Sequence, residues 1–152
     1  MSMTLRDATE AQECAAFHKW RCLVLPKEPR LEWLHHIPNG EARPSSWVPA
    51  PTTSGLRRVS RVGQRLSTMG TLRGIVDYCL PEPVAGQHGL YLEMKRAGLT
   101  PGQAWAACTH EQQAFLTAMQ AKGYATVVAA GWIVATRAVC DYLGREELAY
   151  DL

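Results

Sequence analysis

Two periods of apolar and polar residues alternate along this chain, and each change of period marks the boundary of a predicted element. Apolar residues at helical spacing predict four helices, at 9–25, 56–69, 109–122 and 132–143. Shorter runs with strand-like patterning predict four strands, at 31–37, 76–80, 89–95 and 124–130. Residues 97–108 fit neither period. The order α-β-α-β-β-α-β-α predicts an α/β fold with a mixed sheet flanked by helices.

Turn-forming residues indicate how these elements join. Pro38-Asn39-Gly40 ends the first predicted strand, and a loop rich in Pro, Ser and Thr is expected at 42–54. Residues 81–88 connect the strands at 76–80 and 89–95. Because this connection is short, the two strands are predicted to form an antiparallel hairpin.

Length and composition predict one globular domain over residues 1–152. With 47% hydrophobic residues, the chain can bury a core without disulfides or a structural metal. The first residues have no apolar run like that of a signal peptide, and no stretch reaches the ~20 apolar residues of a membrane span. The five cysteines are scattered without a CxxC pair, which favours reduced thiols. A soluble cytoplasmic protein with no membrane partner is therefore expected.

Positive charge is concentrated in the middle of the chain. Between Glu41 and Asp77 there is no acidic residue, but there are six arginines: Arg43, Arg57, Arg58, Arg61, Arg65 and Arg73. Arginine binds phosphate oxygens through paired hydrogen bonds, so this block and Asn39 just before it are candidate nucleic-acid-binding residues. The apolar residues of the predicted helix at 56–69 are expected to face the core, Val62 and Met69 among them, and Arg57, Arg61 and Arg65 would form one outward stripe. A solvated basic helix is the alternative interpretation.

The candidate chemistry lies on the strand at 89–95 and on the strand before it. Glu93 and Lys95 are two residues apart and therefore point to the same face of an extended strand. If Asp77 pairs beside them, two carboxylates and one amine converge. Asp77, Glu93 and the Met94 carbonyl would suffice to hold Mg²⁺ or Mn²⁺, because hard cations prefer oxygen ligands and keep several waters. This set suits phosphodiester hydrolysis, in which Lys95 would orient or deprotonate the attacking water or stabilise the transition-state charge.

Five segments in the same order resemble the VRR-NUC family, the virus-type replication-repair nucleases of the PD-(D/E)xK superfamily. They are Thr9-Glu10-Ala11-Gln12, His36-Ile37-Pro38-Asn39-Gly40, Met69-Gly70 through Asp77, Glu93-Met94-Lys95, and Glu111-Gln112. The resemblance covers residues 9–143 and is to compact, stand-alone phage and bacterial members. The chain departs from the family pattern at Val76, where the family usually has proline before the aspartate.

The resemblance implies a restriction-endonuclease-like fold and a role for each matching residue. Asp77 and Glu93 would bind the metal, Lys95 would be catalytic, and Gln112 would position the site. Glu10 would be an accessory acid, and Glu13, near the same helical face, is an alternative that the sequence does not separate from it. Stand-alone members are similar to Holliday-junction resolvases and often dimeric, so the resemblance also implies branched or flapped DNA as substrate and a homodimer.

The leading hypothesis is a metal-dependent, structure-specific DNA endonuclease of replication, recombination or repair, in the cytoplasm of a bacterium or a phage-infected host. An acidic residue and a lysine two positions apart on a strand most often belong to an exposed, hydrated strand edge. The nuclease fold also has inactive relatives. The alternative is therefore a non-catalytic DNA-binding or recombination-accessory module with the same fold. A protein-interaction domain without a nucleic-acid role is a third hypothesis.

Overall fold

The computed structural model describes residues 8–38, 46–49 and 56–150, with the backbone alone at 46–49 and 56–59. The helices in these ranges are α1 (Glu10–Val24), α2 (Arg61–Thr68), α3 (Pro101–Ala106), α4 (His110–Ala121) and α5 (Trp132–Leu143). The strands are β1 (His35–His36), β2 (Ser46–Pro49), β3 (Leu56–Val59), β4 (Tyr78–Leu80), β5 (Leu90–Lys95) and β6 (Ala125–Ala130). Two short 3-10 helices span Pro29–Trp33 and Glu146–Leu148. None of the helices in the described ranges is long and apolar enough to cross a lipid bilayer.

The chain divides into two compact units. One unit is formed by Met1–Ile37 together with Gly74–Leu152, and the other by Pro38–Arg73. The first unit contains a four-stranded sheet and four of the described helices, and the second contains β2, β3 and α2. The expectation of a single domain over 1–152 stays an expectation.

The sheet of the first unit has the strand order β1-β4-β5-β6. β4 pairs antiparallel with β5, which confirms the predicted hairpin. β5 pairs in parallel with β6 along its whole length, from Leu90 opposite Ala125 to Lys95 opposite Ala130. At the other edge, the two residues of β1 pair antiparallel with β4. The mixed sheet predicted from the sequence is therefore confirmed.

The side chains of β5 alternate between the two faces of the sheet. Three of them are buried in the hydrophobic core with residues of α1 and α5: Leu90, Leu92 and Met94. The other three belong to the opposite face: Tyr91, Glu93 and Lys95. On that face, Phe115 of α4 packs edge-on against Tyr91, with 5.1 Å between the ring centroids. Glu93 and Lys95 therefore lie on one face, as their two-residue spacing predicts, and the structure shows that α4 packs on that face.

The strand predicted at 31–37 is wrong for most of its length. Pro29–Trp33 forms a 3-10 helix, and the strand is limited to His35–His36. The helix starts with a proline, whose fixed φ and missing N–H are tolerated in a first turn. The Glu28 carboxylate also accepts the Arg30 amide at 3.3 Å. Local capping therefore outweighs the strand-like pattern.

The loop predicted at 42–54 is wrong at 46–49, and the helix predicted at 56–69 is wrong at 56–59; the rest of the predicted loop, 42–45 and 50–54, lies outside the described residues. Ser46–Pro49 and Leu56–Val59 are strands that pair antiparallel with each other. The apolar residues at the two ends of Leu56–Val59 fit helical spacing, but its backbone hydrogen-bonds to the other strand. Helix α2 begins only after Ser60, a residue type that favours helix starts.

The predicted arginine stripe is shorter in the structure. Arg57 lies on β3, so it shares no helical face with Arg61 and Arg65, which are exposed one turn apart on α2. Two apolar residues expected to face the core are also exposed, Val62 by 48% and Met69 by 70%. The expectation of a core-docked apolar face is therefore wrong at these two positions.

A buried carboxylate joins three parts of the first unit. Glu28 is 3% exposed, and both of its oxygens accept hydrogen bonds from arginines. Arg30 donates to Oε1 at 2.7 Å and to Oε2 at 2.8 Å, and Arg145 donates to Oε2 at 2.9 Å. Arg30 also donates to the carbonyl of Leu143 at the end of α5. The hydrogen bonds of Arg30 outweigh the effect of burial and lower the pKa of Glu28 to about 2.

We expect Glu28→Gln to destabilise the protein by about 1.5–3 kcal/mol at pH 7, since it removes charged hydrogen bonds from a buried site. The folded-state pKa of Glu28 lies below its unfolded value of about 4.5, so the stabilisation is present above that pH and is lost as the pH falls towards about 2. Urea unfolding at neutral and acidic pH should therefore show that the free energies of unfolding of the parent and of Glu28→Gln become similar as the pH is lowered. Glu147→Gln is the control, because this exposed carboxylate also pairs with Arg145. Equal losses in both variants would contradict the role given to Glu28.

The cysteines match the expectation of reduced thiols. All five are unpaired, and Cys79, Cys108 and Cys140 are buried. Burial raises the pKa of these three thiols above the usual value. A raised pKa suits packing residues better than nucleophiles.

Candidate functional site

Asp77 immediately precedes β4 and lies beside β5. Tyr78 pairs with Leu92, so the same register continued by one residue places Asp77 opposite Glu93. The Asp77 Oδ2 atom accepts a hydrogen bond of 2.8 Å from the Met94 amide. The pairing that the sequence hypothesis requires is therefore present.

The Met94 carbonyl faces the same edge of β5 as Asp77. In an extended strand, the N–H and C=O of one residue point towards the same neighbouring strand. The Met94 amide is directed at Asp77, whereas the Lys95 carbonyl is directed at β6 and accepts the Gly131 amide at 2.9 Å. Two carboxylates and one main-chain carbonyl thus border one region: those of Asp77, Glu93 and Met94.

One oxygen of the Glu93 carboxylate is held by two donors. Lys95 Nζ lies 2.7 Å from Oε1, and Gln112 Nε2 lies 2.6 Å from the same atom. Lys95 Nζ is also 3.4 Å from Gln112 Oε1, which closes a three-residue network. The other oxygen, Oε2, is buried and has no hydrogen-bond partner within the described structure. Oε1 is therefore fixed by the protein, and Oε2 is available to a ligand.

The start of α4 fixes the orientation of the Gln112 amide. Thr109 caps the helix, since its Oγ1 accepts the Gln112 N–H at 3.2 Å and its own N–H donates to Gln112 Oε1 at 2.9 Å. Because Oε1 serves the cap, Nε2 is the end of the side chain that turns to Glu93. The spacing of Thr109 and Gln112 signals such a capping box in the sequence. The contact with Glu93 has no comparable signal.

The negative charges of the two carboxylates, Asp77 and Glu93, repel each other. Burial raises the pKa of Glu93 to about 7, and the nearby charge of Asp77 adds to the effect, against the smaller opposing influence of Lys95. Burial also raises the pKa of Asp77, while the Met94 amide hydrogen bond opposes the shift. A cation between the two groups would favour the charged form of both.

The Lys95 ammonium is stabilised by its contact with Glu93. Burial on its own lowers the pKa of a lysine. Here the hydrogen bond and negative charge of Glu93 outweigh burial and raise the pKa of Lys95 above its usual value. Lys95 is 6% exposed, so a buried positive charge lies beside the two carboxylates.

The structure gives Glu10 and Glu13 different surroundings. Glu13 is 1% exposed, and its Oε2 accepts the Trp132 amide at 2.8 Å. It thereby caps α5, whose own N-cap residue, Gly131, has no side chain. Glu10 is exposed at the start of α1. Its charge is one of the smaller influences that, after burial, raise the pKa of Glu93. The Oε1 atom of Glu13 is buried and has no hydrogen-bond partner within the described structure. The choice between Glu10 and Glu13 as the accessory acid stays a prediction.

Gly74 brings the segment before Asp77 against the start of α4. A Cβ atom at this position would lie 2.6 Å from the carbonyl carbon of Glu111 and 2.9 Å from the amide nitrogen of Gln112. The φ of Gly74 is +75°, which L side chains rarely adopt. Close approach and backbone conformation both require glycine here. The resemblance includes this segment, but the contact with α4 is known only from the structure.

The oxygen atoms of the site fit a hard divalent cation. Asp77 and Glu93 offer carboxylates, Met94 offers a carbonyl, and Glu93 Oε2 lacks another partner within the described structure. No group of three or more His, Cys, Asp or Glu side chains in the described ranges could hold a metal ion. The side-chain ligands would therefore be two carboxylates, with water completing the shell. This composition suits Mg²⁺ or Mn²⁺, which accept few protein carboxylates and keep water.

A solved structure described as a "VRR_NUC domain protein" is similar to this chain. The alignment covers 91% of this chain and 90% of that one, with a TM-score of 0.62 and 19% sequence identity. The chain has the VRR-NUC fold. This confirms the mixed α/β architecture that the resemblance implies, and at this identity the likeness establishes the fold alone. No protein-family model matches the sequence, and no curated protein matches it.

The nucleic-acid-binding candidates all belong to the second unit of this VRR-NUC fold. Three of them are exposed: Arg61, Arg65 and Arg73. Two lie on β3, where the backbone alone is described: Arg57 and Arg58. The remaining two lie outside the described residues: Asn39 and Arg43. Their contact with nucleic acid stays a prediction.

We expect Gln112→Ala to cost more stability than the equivalent change in α3. Gln103 occupies the same capping-box position there, with its Oε1 accepting the Thr100 amide at 2.9 Å, and it is exposed. Gln103→Ala should cost about 0.5–1 kcal/mol through the loss of a cap. Gln112→Ala should cost about 1–3 kcal/mol more, because it also removes a hydrogen bond to the buried Glu93 carboxylate. Urea unfolding measures the stability of the two variants. Equal losses of stability would contradict the claim that Gln112 both caps α4 and stabilises Glu93.

Proposed function

We propose that this protein is a divalent-metal-dependent DNA endonuclease that hydrolyses phosphodiester bonds. The observation that carries the proposal is the convergence of Asp77, Glu93 and Lys95, with Gln112, on one face of the sheet. The VRR-NUC fold supports the proposal by analogy, since a fold alone does not define an activity. The exposed arginines of the second unit supply positive charge suited to a nucleic-acid backbone.

In this proposal, the Asp77 and Glu93 carboxylates and the Met94 carbonyl hold Mg²⁺ or Mn²⁺. When bound, the cation supplies Lewis-acid stabilisation of negative charge on the phosphoryl oxygens. Glu93 would bind it through Oε2, because Lys95 and Gln112 occupy Oε1. Gln112 therefore has a positioning role, which is to keep Glu93 in one orientation.

Lys95 is the proposed residue for charge stabilisation. The hydrogen bond and negative charge of Glu93 raise the pKa of Lys95 and so favour the protonated amine. A protonated amine stabilises developing negative charge or orients the attacking water, but it does not take a proton from that water. Glu10, the exposed acid at the start of α1, is the proposed accessory acid because its charge acts on Glu93.

Cleavage of labelled DNA with and without metal tests the proposal. The substrates are a four-way junction, a 5′ flap, a splayed arm and a linear duplex, each with Mg²⁺, Mn²⁺ or EDTA. We expect cutting with either metal, none with EDTA, and a preference for branched or flapped DNA. Symmetric cuts in the junction, together with a dimeric mass in solution, would support the homodimer. Tight binding without cutting under every metal would reject the nuclease.

A non-catalytic DNA-binding or recombination-accessory module is the second candidate. The observation that favours it is the ion pair between Lys95 and Glu93, which balances a buried charge without any metal. This candidate predicts binding without cutting, with a log affinity that falls by about 0.9 per neutralised phosphate for each decade of salt. Under it, Asp77→Asn would leave function unchanged.

A further inference from the structure

A histidine and a cysteine lie one helical turn apart on the exposed surface of α1. His18 and Cys22 are four residues apart, a spacing that places two side chains on the same face of a helix. Both residues are exposed, and among the five cysteines of the chain, all within the described ranges, Cys22 alone is exposed. The Cys22 sulfur lies 3.6 Å from Nε2 of His18. A ring nitrogen and a sulfur atom therefore meet at the solvent boundary.

The distance between these two atoms matches the ligand spacing of a tetrahedral zinc ion. Zinc binds a cysteine sulfur at about 2.3 Å and a histidine nitrogen at about 2.1 Å, so a tetrahedral angle separates the two ligand atoms by about 3.6 Å. This is the separation that the structure has. A hydrogen bond between the thiol and the ring nitrogen holds the pair in the same geometry. Replacement of the shared proton by a metal ion therefore requires no movement of either ligand atom.

The surroundings of the pair favour Cys22 over the other cysteine of α1. Cys14 also lies four residues from His18, but it is half-buried, and burial raises the pKa of its thiol. Metal binding requires the thiolate, so Cys14 is the poorer ligand. Arg21 precedes Cys22 in the chain, and its guanidinium group donates to the carbonyls of Leu31 and Glu32 at 2.8 and 2.6 Å. The nearest positive charge along the chain on that side is therefore already engaged by carbonyl oxygens.

The types of ligand determine which cation the pair selects. Thiolate and imidazole suit Zn²⁺, whereas Mg²⁺ and Mn²⁺ prefer oxygen ligands such as those of Asp77 and Glu93. The described ranges hold no metal-binding group of three or more His, Cys, Asp or Glu side chains, so this pair would supply two ligands and water the others. The pair also differs in place from the carboxylates, since α1 packs its Phe17 on the opposite face of the sheet from Glu93.

We propose that His18 and Cys22 form a two-ligand site for Zn²⁺ on the surface of α1. His18 Nε2 and Cys22 Sγ bind the ion, and the thiol proton passes to water. The ion links consecutive turns of α1, whose Phe17 and Trp20 belong to the hydrophobic core, and so stabilises the folded helix. The proposal does not depend on the proposed nuclease activity, because neither residue belongs to the candidate site.

Titration of the reduced protein with Co²⁺, a spectroscopic substitute for Zn²⁺, tests the proposal. A bond between cobalt and a thiolate gives a charge-transfer band in the near ultraviolet, which oxygen ligands do not give. Excess Mg²⁺ is present throughout to occupy the oxygen site. For the parent, we expect a saturable band at one cobalt ion per chain. Added Zn²⁺ should remove the band, because it competes for the same ligands.

Three variants identify the ligands. Cys22→Ser should abolish the band. His18→Gln should weaken zinc binding by at least about tenfold, since even groups outside the ligand shell typically contribute about 10–100-fold to metal affinity. His35→Gln is the matched control, because it removes another exposed histidine that has no cysteine four residues away, and it should bind zinc like the parent. All three positions are exposed, and circular dichroism should show that each variant keeps the helical content of the parent.

The outcomes decide the zinc site independently of DNA cleavage. No band in the parent, or an equal band in Cys22→Ser, would overturn the site. Unchanged zinc affinity in His18→Gln would also overturn it, because a cysteine would then bind without the histidine. Zinc should raise the Tm of the parent and of His35→Gln but not that of Cys22→Ser, and equal shifts in all three would contradict the proposal. None of these results alters the test of the nuclease, which is measured with DNA and Mg²⁺.

Discussion

Asp77→Asn is expected to lower the rate of metal-dependent DNA cleavage by about a thousandfold or more. The amide carries no charge and is a poorer ligand for a hard cation, and a loss of about 4 kcal/mol of transition-state stabilisation corresponds to that factor. The change is nearly isosteric, and an amide oxygen can still accept the Met94 N–H that Asp77 Oδ2 accepts at 2.8 Å. The fold and the affinity for DNA should therefore persist. Single-turnover cleavage with excess enzyme measures the chemical step directly.

Asp141→Asn is the matched control for this experiment. It makes the same chemical change on the exposed surface of α5, outside the proposed site. Its cleavage rate and DNA affinity should equal those of the parent. Undiminished cleavage by Asp77→Asn would contradict the proposed mechanism and remove Asp77 from the site. Binding measured in EDTA for all three proteins separates a loss of chemistry from a loss of DNA contact.

The centre of the candidate site is predictable from the sequence because it depends on local geometry. Two residues of separation on a strand place Glu93 and Lys95 on one face in any fold. The short connection at 81–88 predicts a hairpin, and the hairpin brings Asp77 beside β5. Neither step requires knowledge of how distant parts of the chain pack.

Short elements with competing signals are where the sequence prediction fails. Leu56–Val59 has apolar ends three residues apart and runs towards a true helix, so its pattern imitates the start of α2. Its pairing partner, Ser46–Pro49, lies in a segment whose Pro and Ser content predicts a loop. Helix α3 has only six residues, too few to reveal a helical period, although Thr100 and Gln103 form a capping box with proline at the first position.

Contacts between distant parts of the chain cannot be predicted from local sequence patterns. Glu10 and Glu13 are near neighbours on one helical face, and nothing local distinguishes them. The fold does so by bringing Trp132 against Glu13, which then serves as the cap of α5. Gln112 is similar, because the capping box is visible in the sequence but the bond of its side chain to Glu93 is not.

Gly74→Ala is expected to destabilise the protein by about 3 kcal/mol. A non-glycine residue at positive φ costs about 1–2 kcal/mol, and forcing extra atoms into a packed contact costs about 1–3 kcal/mol. Both costs apply here, since φ is +75° and the new Cβ would lie 2.6 Å from the Glu111 carbonyl carbon. Gly144→Ala is the control, because Gly144 has a φ of +66° but no atom within 4 Å of the new Cβ. Urea unfolding should show a loss of only about 1 kcal/mol for the control.

The Gly74 variant also tests whether the backbone contact positions the site. The added Cβ would press on Glu111 and Gln112, so α4 must move away from the segment that carries Asp77. Such a movement would lengthen the hydrogen bond of 2.6 Å from Gln112 Nε2 to Glu93 Oε1. The Glu93 carboxylate would then lose its fixed orientation. At a temperature where the variant is fully folded, its cleavage rate should fall while that of Gly144→Ala stays at the parent value. If both glycine variants lose equal stability and keep full activity, the contact at Gly74 neither strains the fold nor orients Glu93.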